Sequence, residues 1–257
     1  MMDCRDASAC QGVGSLCFFP YLNPLVSWHA LVLGHLLYLF VVFVMRSIMR
    51  GRRALNMSRV LVVYNVLQIC LSAAMAINLS PPLKNGVFNL SGKFCPDIEF
   101  WMFVHYCSKY IDMLDTVFIL CKKKEDQLSF LHVYHHCTIG LIWGILLRNG
   151  LANGTAFFGT WINSSVHFLM YSHYLWTSLG YRNPFKFLLT KIQMLQFSLC
   201  ILHAILVTLL DTQFTLGWNL LQLLYNASLL VLFLNFYMNS RGKGCAIEKK
   251  TTMRLCD

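Results

Sequence analysis

The sequence predicts an all-α integral membrane fold of seven transmembrane helices. Three observations carry that prediction: long stretches without charge, a one-sided distribution of bases, and one apolar segment whose charges fall at helical spacing. Of 257 residues, 57% are hydrophobic and 12% charged, about half the charged fraction of a soluble domain. That excludes an ordinary soluble protein. Asp, Glu, Lys and Arg are absent from 7–45, 60–83, 127–147, 149–181, 192–210 and 212–240. Each run can hold a helix of about 20 residues, enough to cross a hydrocarbon core of roughly 30 Å.

Taken in order, the first helix falls at 25–45, since Pro20 and Pro24 stop any earlier one. The second, at 60–79, ends at Pro81 and Pro82, because proline neither donates a hydrogen bond nor tolerates a helix interior. Four more lie at 130–148, 154–177, 186–209 and 216–239, ahead of a cytosolic basic tail at 241–257. The segment 98–121 is apolar except for His105, Lys109, Asp112, Asp115 and a few neutral polar groups. Each central charge there costs about 2.5–3.5 kcal/mol of insertion, and position decides the case. Sixteen of the 21 Lys and Arg lie between helices one and two, between three and four, around the start of helix six, and in the tail. They share one membrane face only if 98–121 also crosses. The positive-inside rule then places the N-terminus in the lumen and the C-terminus in the cytosol.

The net charge of +10 raises nucleic acid as a partner, but bases gathered at span ends are topogenic, and no nucleic-acid partner is inferred. A cytosolic basic rim also suits anionic lipid or coenzyme phosphates. No basic stretch precedes a short apolar one at the N-terminus, so no cleavable signal is expected. The sequons at Asn89 and Asn153 fall in the luminal loops and that at Asn56 in a cytosolic one. The 11 cysteines contain no CxxC pair. Cys4, Cys10 and Cys95 lie on the oxidising side, where Cys95 can pair with one of the others.

Ionisable groups inside membrane helices are expensive and read as functional by default. His105, Lys109, Asp112 and Thr116 form one helical stripe, with Asp115 to one side. Lys109 and Asp112, at i and i+3, also suit a purely structural ion pair. His132, His135 and His136 occupy i, i+3 and i+4 and share a face. Asn163, His167, Tyr171 and Tyr174 form a third stripe, with His173 off it, and Thr190, Gln193 and Gln196 a fourth. Singly, Asn163 or either Gln reads as interhelical glue. Together the ionisable and amide groups fall at roughly 6–18 Å from the cytosolic helix ends at about 1.5 Å per residue, which predicts one buried chamber open to the cytosol.

Three chemistries compete for that chamber. A di-iron site would use neutral imidazoles, but it needs several histidine boxes and only one is present, so no metal is expected. A proton-coupled transporter or receptor would use Lys109, the carboxylates and the histidines as a relay, yet no broken helix or long binding loop is apparent. The third is an enzyme acting on a lipid thioester. KYIDMLDT at 109–116, HVYHH at 132–136, NSSVHFLMYSHY at 163–174 and TKIQMLQ at 190–196 resemble, in order and spacing, the signature segments of the ELO family of fatty-acid elongases.

The resemblance spans nearly all seven helices. It implies a bundle in which six helices enclose an acyl tunnel, and a very-long-chain 3-oxoacyl-CoA synthase of the endoplasmic reticulum. Such an acyltransferase joins acyl-CoA to malonyl-CoA without a redox cofactor. It implies His135 as nucleophile, His132 and His136 orienting it, and His167 with Asn163 handling the malonyl thioester. Lys109, Asp112 and Asp115 would form a charged wall beside Thr116, with Tyr171, Tyr174, Gln193 and Gln196 contacting substrate. The implied partners are the reductases and dehydratase of the elongation cycle, and a homo-oligomer is compatible with the sequence. Three departures stand out. Asp112 replaces the family's usual Glu, His173 its usual Tyr, and no terminal KKxx signal is present, since seven residues follow Lys250. Val133 in HVYHH, where members preferring saturated and monounsaturated chains carry Trp, leans toward polyunsaturated or very long substrates.

Overall fold

The computed structural model describes residues 16–80, 95–182, 185–210 and 216–253, and all of its regular structure is helical. Asn89, Cys4 and Cys10 lie outside the described residues. Eight α-helices follow in order: α1 (Trp28–Arg50), α2 (Ser58–Asn78), α3 (Pro96–Asp112), α4 (Leu114–Cys121), α5 (Phe130–Arg148), α6 (Phe157–Ser178), α7 (Lys186–Leu209) and α8 (Leu216–Met253). Pro20 and Pro24 lie in a short 3-10 helix over Pro20–Val26. Ser27 starts α1, its hydroxyl accepting from Ala30 N at 3.3 Å, one of the donors a helix start leaves unpaired.

Among the described residues five helices are long and apolar enough to cross a membrane: α1, α2, α5, most of α7, and α8 over Leu216–Ser240. The protein is therefore a multi-pass membrane protein. The remaining segments, α3–α4 and α6, carry two of the four polar stripes. Helix α8 continues through Met253, and its apolar, membrane-length part ends at Ser240, ahead of the basic residues from 241. The segment 98–121 is α3 followed by α4, with a one-residue interruption at Met113, which keeps α-helical dihedrals (φ −62°, ψ −22°) while Thr116 N bonds its carbonyl at 3.2 Å. No Pro or Gly accounts for this interruption. It lies between Asp112 and Asp115, which both reach the same tyrosine on α6, and Tyr64 on α2 donates to Ile111 O at 3.3 Å beside it.

Packing closes a ring. Helix α3 lies on α2, α2 on α6, α6 on α7, α7 on α8, α8 on α5, and α5 back on α3, while α1 lies outside against α4 and α5. Gly144 permits the α1–α5 approach: a Cβ there would strike the Leu31 side chain and come within 2.9 Å of Tyr106. Leu31, Tyr106, Trp143 and Leu147 fill this contact. Outward-facing Phe43 and Leu67 are 74% and 63% exposed, as hydrocarbon-facing side chains are.

The end of the ring away from the histidines is tied by polar groups. Cys17 and Cys95 are both disulfide-bonded, which extends the expectation for Cys95 to a cysteine the sequence reading left out. Glu99 accepts from Cys17 N at 2.8 Å and Phe18 N at 2.7 Å. The sequon asparagine Asn153 is part of this tie. It is 1% exposed, accepts from Cys95 N and Gly154 N, and donates to Cys95 O at 3.0 Å. Its amide is a structural clamp with no face free for a glycan.

Candidate active site

The site begins with a helix cap. Ser129 is extended, and its hydroxyl accepts from His132 N at 3.2 Å, which fixes the first turn of α5 and sets HVYHH on the two turns that follow. The three histidines then diverge. His132 Nε2 lies 2.8 Å from Thr116 Oγ1, which lies 3.1 Å from the Tyr38 hydroxyl of α1. His136 is 8% exposed, its ring 4.3 Å from that of His132 and 5.3 Å from that of His135. His135 faces a cleft bounded by α6, α7 and α8. The shared face expected for all three is thus divided between a hydrogen-bonded wall and an open space.

Facing them, α3 brings a charged centre. Lys109 Nζ donates to Asp112 Oδ2 and to Asn163 Oδ1, both at 3.0 Å. Lysine only donates, so this bond assigns the Asn163 oxygen to Lys109 and turns its NH2 the other way. His167 Nδ1 stands 3.6 Å from Asp112 Oδ2. The Tyr171 hydroxyl lies 3.0 Å from Asp112 Oδ1 and 2.9 Å from Asp115 Oδ2. Lys109, Asp112 and Tyr171 are all at least 97% buried. A buried charge pair costs several kcal/mol per ion unless each remaining lone pair finds a donor, and here α2 supplies one. Gln68 Nε2 donates to Asp112 Oδ1 at 2.6 Å and to the Tyr64 hydroxyl at 3.2 Å. His105, the top of the stripe, is fully buried, with Nδ1 3.3 Å from Ser164 Oγ and its ring edge-on to Trp143.

The cleft is narrow and partly open to the outside. His135, Asn163 and Gln196 stand at one end, and its wall follows α5 through Ile139, Ile142 and Trp143 to Leu146. His135 to Leu146 is about 16 Å along a helix. The far end is bounded by Leu146, Ala156 and Trp218. A polar mouth above a long apolar wall suits an extended hydrocarbon with a reactive head.

Other expected site residues lie elsewhere. Gln193 donates toward Met170 Sδ at 3.7 Å and is absent from the cleft wall. Tyr174 is 39% exposed and meets Tyr171 edge-on. His173 lines a separate groove between α6 and α7. Among the described residues no three His, Cys, Asp or Glu side chains are disposed to hold a metal. Sequence reasoning missed Tyr64 and Gln68, which with Ser72 form an i, i+4, i+8 stripe in an otherwise apolar helix. It also missed Gln222 and Asn226, an i, i+4 amide pair on the α8 wall of the cleft. The same periodicity argument applied to α2 and α8 shows both stripes but does not separate a site wall from an interhelical contact.

Comparison with known proteins identifies the family. The sequence model of the ELO: GNS1/SUR4 family matches residues 23–245. The chain is 58% identical over 247 residues to a protein of Trypanosoma cruzi named fatty acid elongase 5, covering 96% of this chain and 98% of that one. It is 53% identical over 242 residues to the Leishmania major protein of the same name, covering 94% and 97%. With very long chain fatty acid elongase 2 of Mus musculus it shares 34% over 216 residues, covering 80% and 74%. A match over most of the chain, with the polar stripes drawn around one centre, makes this protein a member of the ELO (GNS1/SUR4) family.

Proposed function

We propose that this protein acts in fatty-acid elongation as the condensing enzyme, a 3-oxoacyl-CoA synthase that joins a long-chain acyl-CoA to malonyl-CoA. The observation that carries this reading is His135 at the polar end of a long apolar cleft, with the amides of Asn163 and Gln196 on the same wall. The His135 imidazole attacks the thioester carbonyl. A C–N bond forms, the C–S bond breaks, and CoA leaves with the imidazole proton. Malonyl-CoA then loses CO2, and its enolate carbon attacks the acyl carbon. The C–N bond breaks to release a 3-oxoacyl-CoA two carbons longer.

With its oxygen bound to Lys109, Asn163 has its NH2 free to donate to a developing oxyanion, as Gln196 does from α7. His132, tied to Thr116, and His136 hold the first turns of α5 in register. His167, beside Asp112, faces the malonyl group. The reaction draws on malonyl-CoA as co-substrate and no redox cofactor. It proceeds in the endoplasmic reticulum membrane, with the N-terminus luminal and the histidine end toward the cytosol, where CoA esters and the reductases and dehydratase of the cycle reside. Val133 supports a preference for polyunsaturated or very long chains.

The test is elongation by microsomes carrying the protein, using labelled malonyl-CoA and a panel of acyl-CoAs. His135→Ala is expected to abolish labelled product while the protein remains folded in the membrane. Product formation at the wild-type rate by that variant removes His135 from the mechanism.

A further inference from the structure

Hydrogens can be counted at Tyr171. Its hydroxyl lies within hydrogen-bond distance of two carboxylates, Asp112 Oδ1 at 3.0 Å and Asp115 Oδ2 at 2.9 Å. A phenol has one proton to give, so with both acids ionised one contact would set lone pair against lone pair. Asp112 has the stronger claim to a negative charge, held by Lys109 at 3.0 Å and Gln68 at 2.6 Å. Asp115 has no cation within ion-pair distance among the described residues. The extra proton therefore sits on Asp115, which donates to the Tyr171 oxygen while Tyr171 donates to Asp112. Exposure runs the same way: Asp115 is half-buried, whereas Asp112 and Tyr171 are 3% and 0% exposed. From Asp112 the chain continues to His167 Nδ1 at 3.6 Å and, through Lys109, to Asn163 on the cleft wall.

From this arrangement we infer that Asp115, Tyr171 and Asp112 form a relay that delivers the proton consumed in condensation. The inference rests on the condensing reading given above and adds a route to it. Acylation is proton-neutral, since imidazole N–H plus acyl thioester gives acyl-imidazole plus CoA thiol. The second half is not. Acyl-imidazole plus malonyl-CoA carboxylate gives 3-oxoacyl-CoA, CO2 and an imidazolate, and one proton restores the neutral ring. Within a membrane bundle that proton needs a path, and Asp115 is the half-buried acid from which hydrogen bonds lead inward through Tyr171 to Asp112, with His167 3.6 Å beyond on the side of the site. Asp115 and Tyr171 act through Asp112 and His167 and are positioning residues. The titratable groups around Asp115 are Asp112 and Lys109 on α3, Tyr64 on α2, and Tyr171 and Tyr174 on α6. Beyond Thr116 stand Tyr38 on α1 and His132 on α5.

The test separates the half-reactions in purified protein: acylation by acyl-CoA alone, then malonyl-dependent product formation, each across pH. In the wild type the malonyl-dependent step is expected to fall with rising pH with a one-proton slope as Asp115 ionises. Asp115→Asn keeps a donor to Tyr171 but has no proton to pass on. It is expected to slow the malonyl-dependent step about 100-fold, the low end for a positioned acid, to slow acylation less, and to lose the pH limb. Asp115→Glu is expected to recover that limb. Tyr171→Phe should reproduce the Asp115→Asn profile if it folds, and Asp115→Asn decides the question if it does not. A wild-type profile in Asp115→Asn, or equal losses in both half-reactions without rescue by Glu, overturns the relay alone. Absence of condensation by the wild-type protein overturns the condensing reading, and the relay with it.

Discussion

On the condensing reading, Lys109 and Asp112 join a structural ion pair to a working centre. Their pairing at 3.0 Å removes the cost of two buried charges, while the remaining valences reach Asn163, Gln68 and Tyr171. Lys109→Met leaves a buried carboxylate unpaired and is expected to destabilise the protein by about 3–5 kcal/mol, read as a lower unfolding temperature in detergent. Adding Asp112→Asn should restore most of that stability, because the orphaned charge is gone, yet elongation should stay absent. Recovery of activity with recovery of stability would make the pair structural only. Asn153→Gln should likewise lower the unfolding temperature by breaking the Cys95 clamp, with no change in apparent mass on deglycosylation. A mass loss would show that Asn153 carries a glycan. The stripes through Lys109, His135 and Asn163 were legible because charge and imidazole are conspicuous in apolar helices. Gln68 and Asn226 were not, because an amide among leucines is as commonly glue as chemistry, and only the position of Asp112 or the cleft separates the two.

At the level of helices, two glycines on the α5–α6 side of the bundle make opposite predictions. Gly144 is where α1 and Tyr106 close on α5, and a methyl there meets Leu31. Gly144→Ala is expected to cost about 1–3 kcal/mol as an overpacked contact, measured by thermal unfolding. Gly159 borders the cleft, and a Cβ there would lie 3.7 Å from the Trp143 ring, an ordinary contact. Gly159→Ala should therefore fold with wild-type stability while narrowing the cleft, lowering elongation of the bulkiest acyl-CoAs more than of the slimmest. Uniform loss across the panel would place the acyl chain elsewhere. The helices themselves were legible from charge-free runs and prolines. The one-residue interruption at Met113 was not, since no Pro or Gly marks it; it lies between Asp112 and Asp115, which meet one hydroxyl from α6.

Across the whole molecule, six segments close a ring with α1 outside, the exterior is apolar, and the polar groups gather toward one end. The one-sided distribution of bases led to an expected membrane orientation, but sequence periodicity alone could not say which helices face one another. That information lies in close approaches such as Gly144 to Leu31 and in the crossing of α3 with α2 and α6. The disulfide-bonded Cys17 and Cys95 lie at the end of the bundle opposite the histidines. The central claim is that an acyl group passes through His135 within this ring. It is tested most directly by incubating purified protein with a long-chain acyl-CoA and no malonyl-CoA, then mapping adducts by peptide mass spectrometry. The account predicts one acyl increment on His135 that disappears when malonyl-CoA is added, with 3-oxoacyl-CoA formed in equal amount. An increment on Cys200, the thiol in the same cleft, or normal turnover with an unmodified His135, would contradict it.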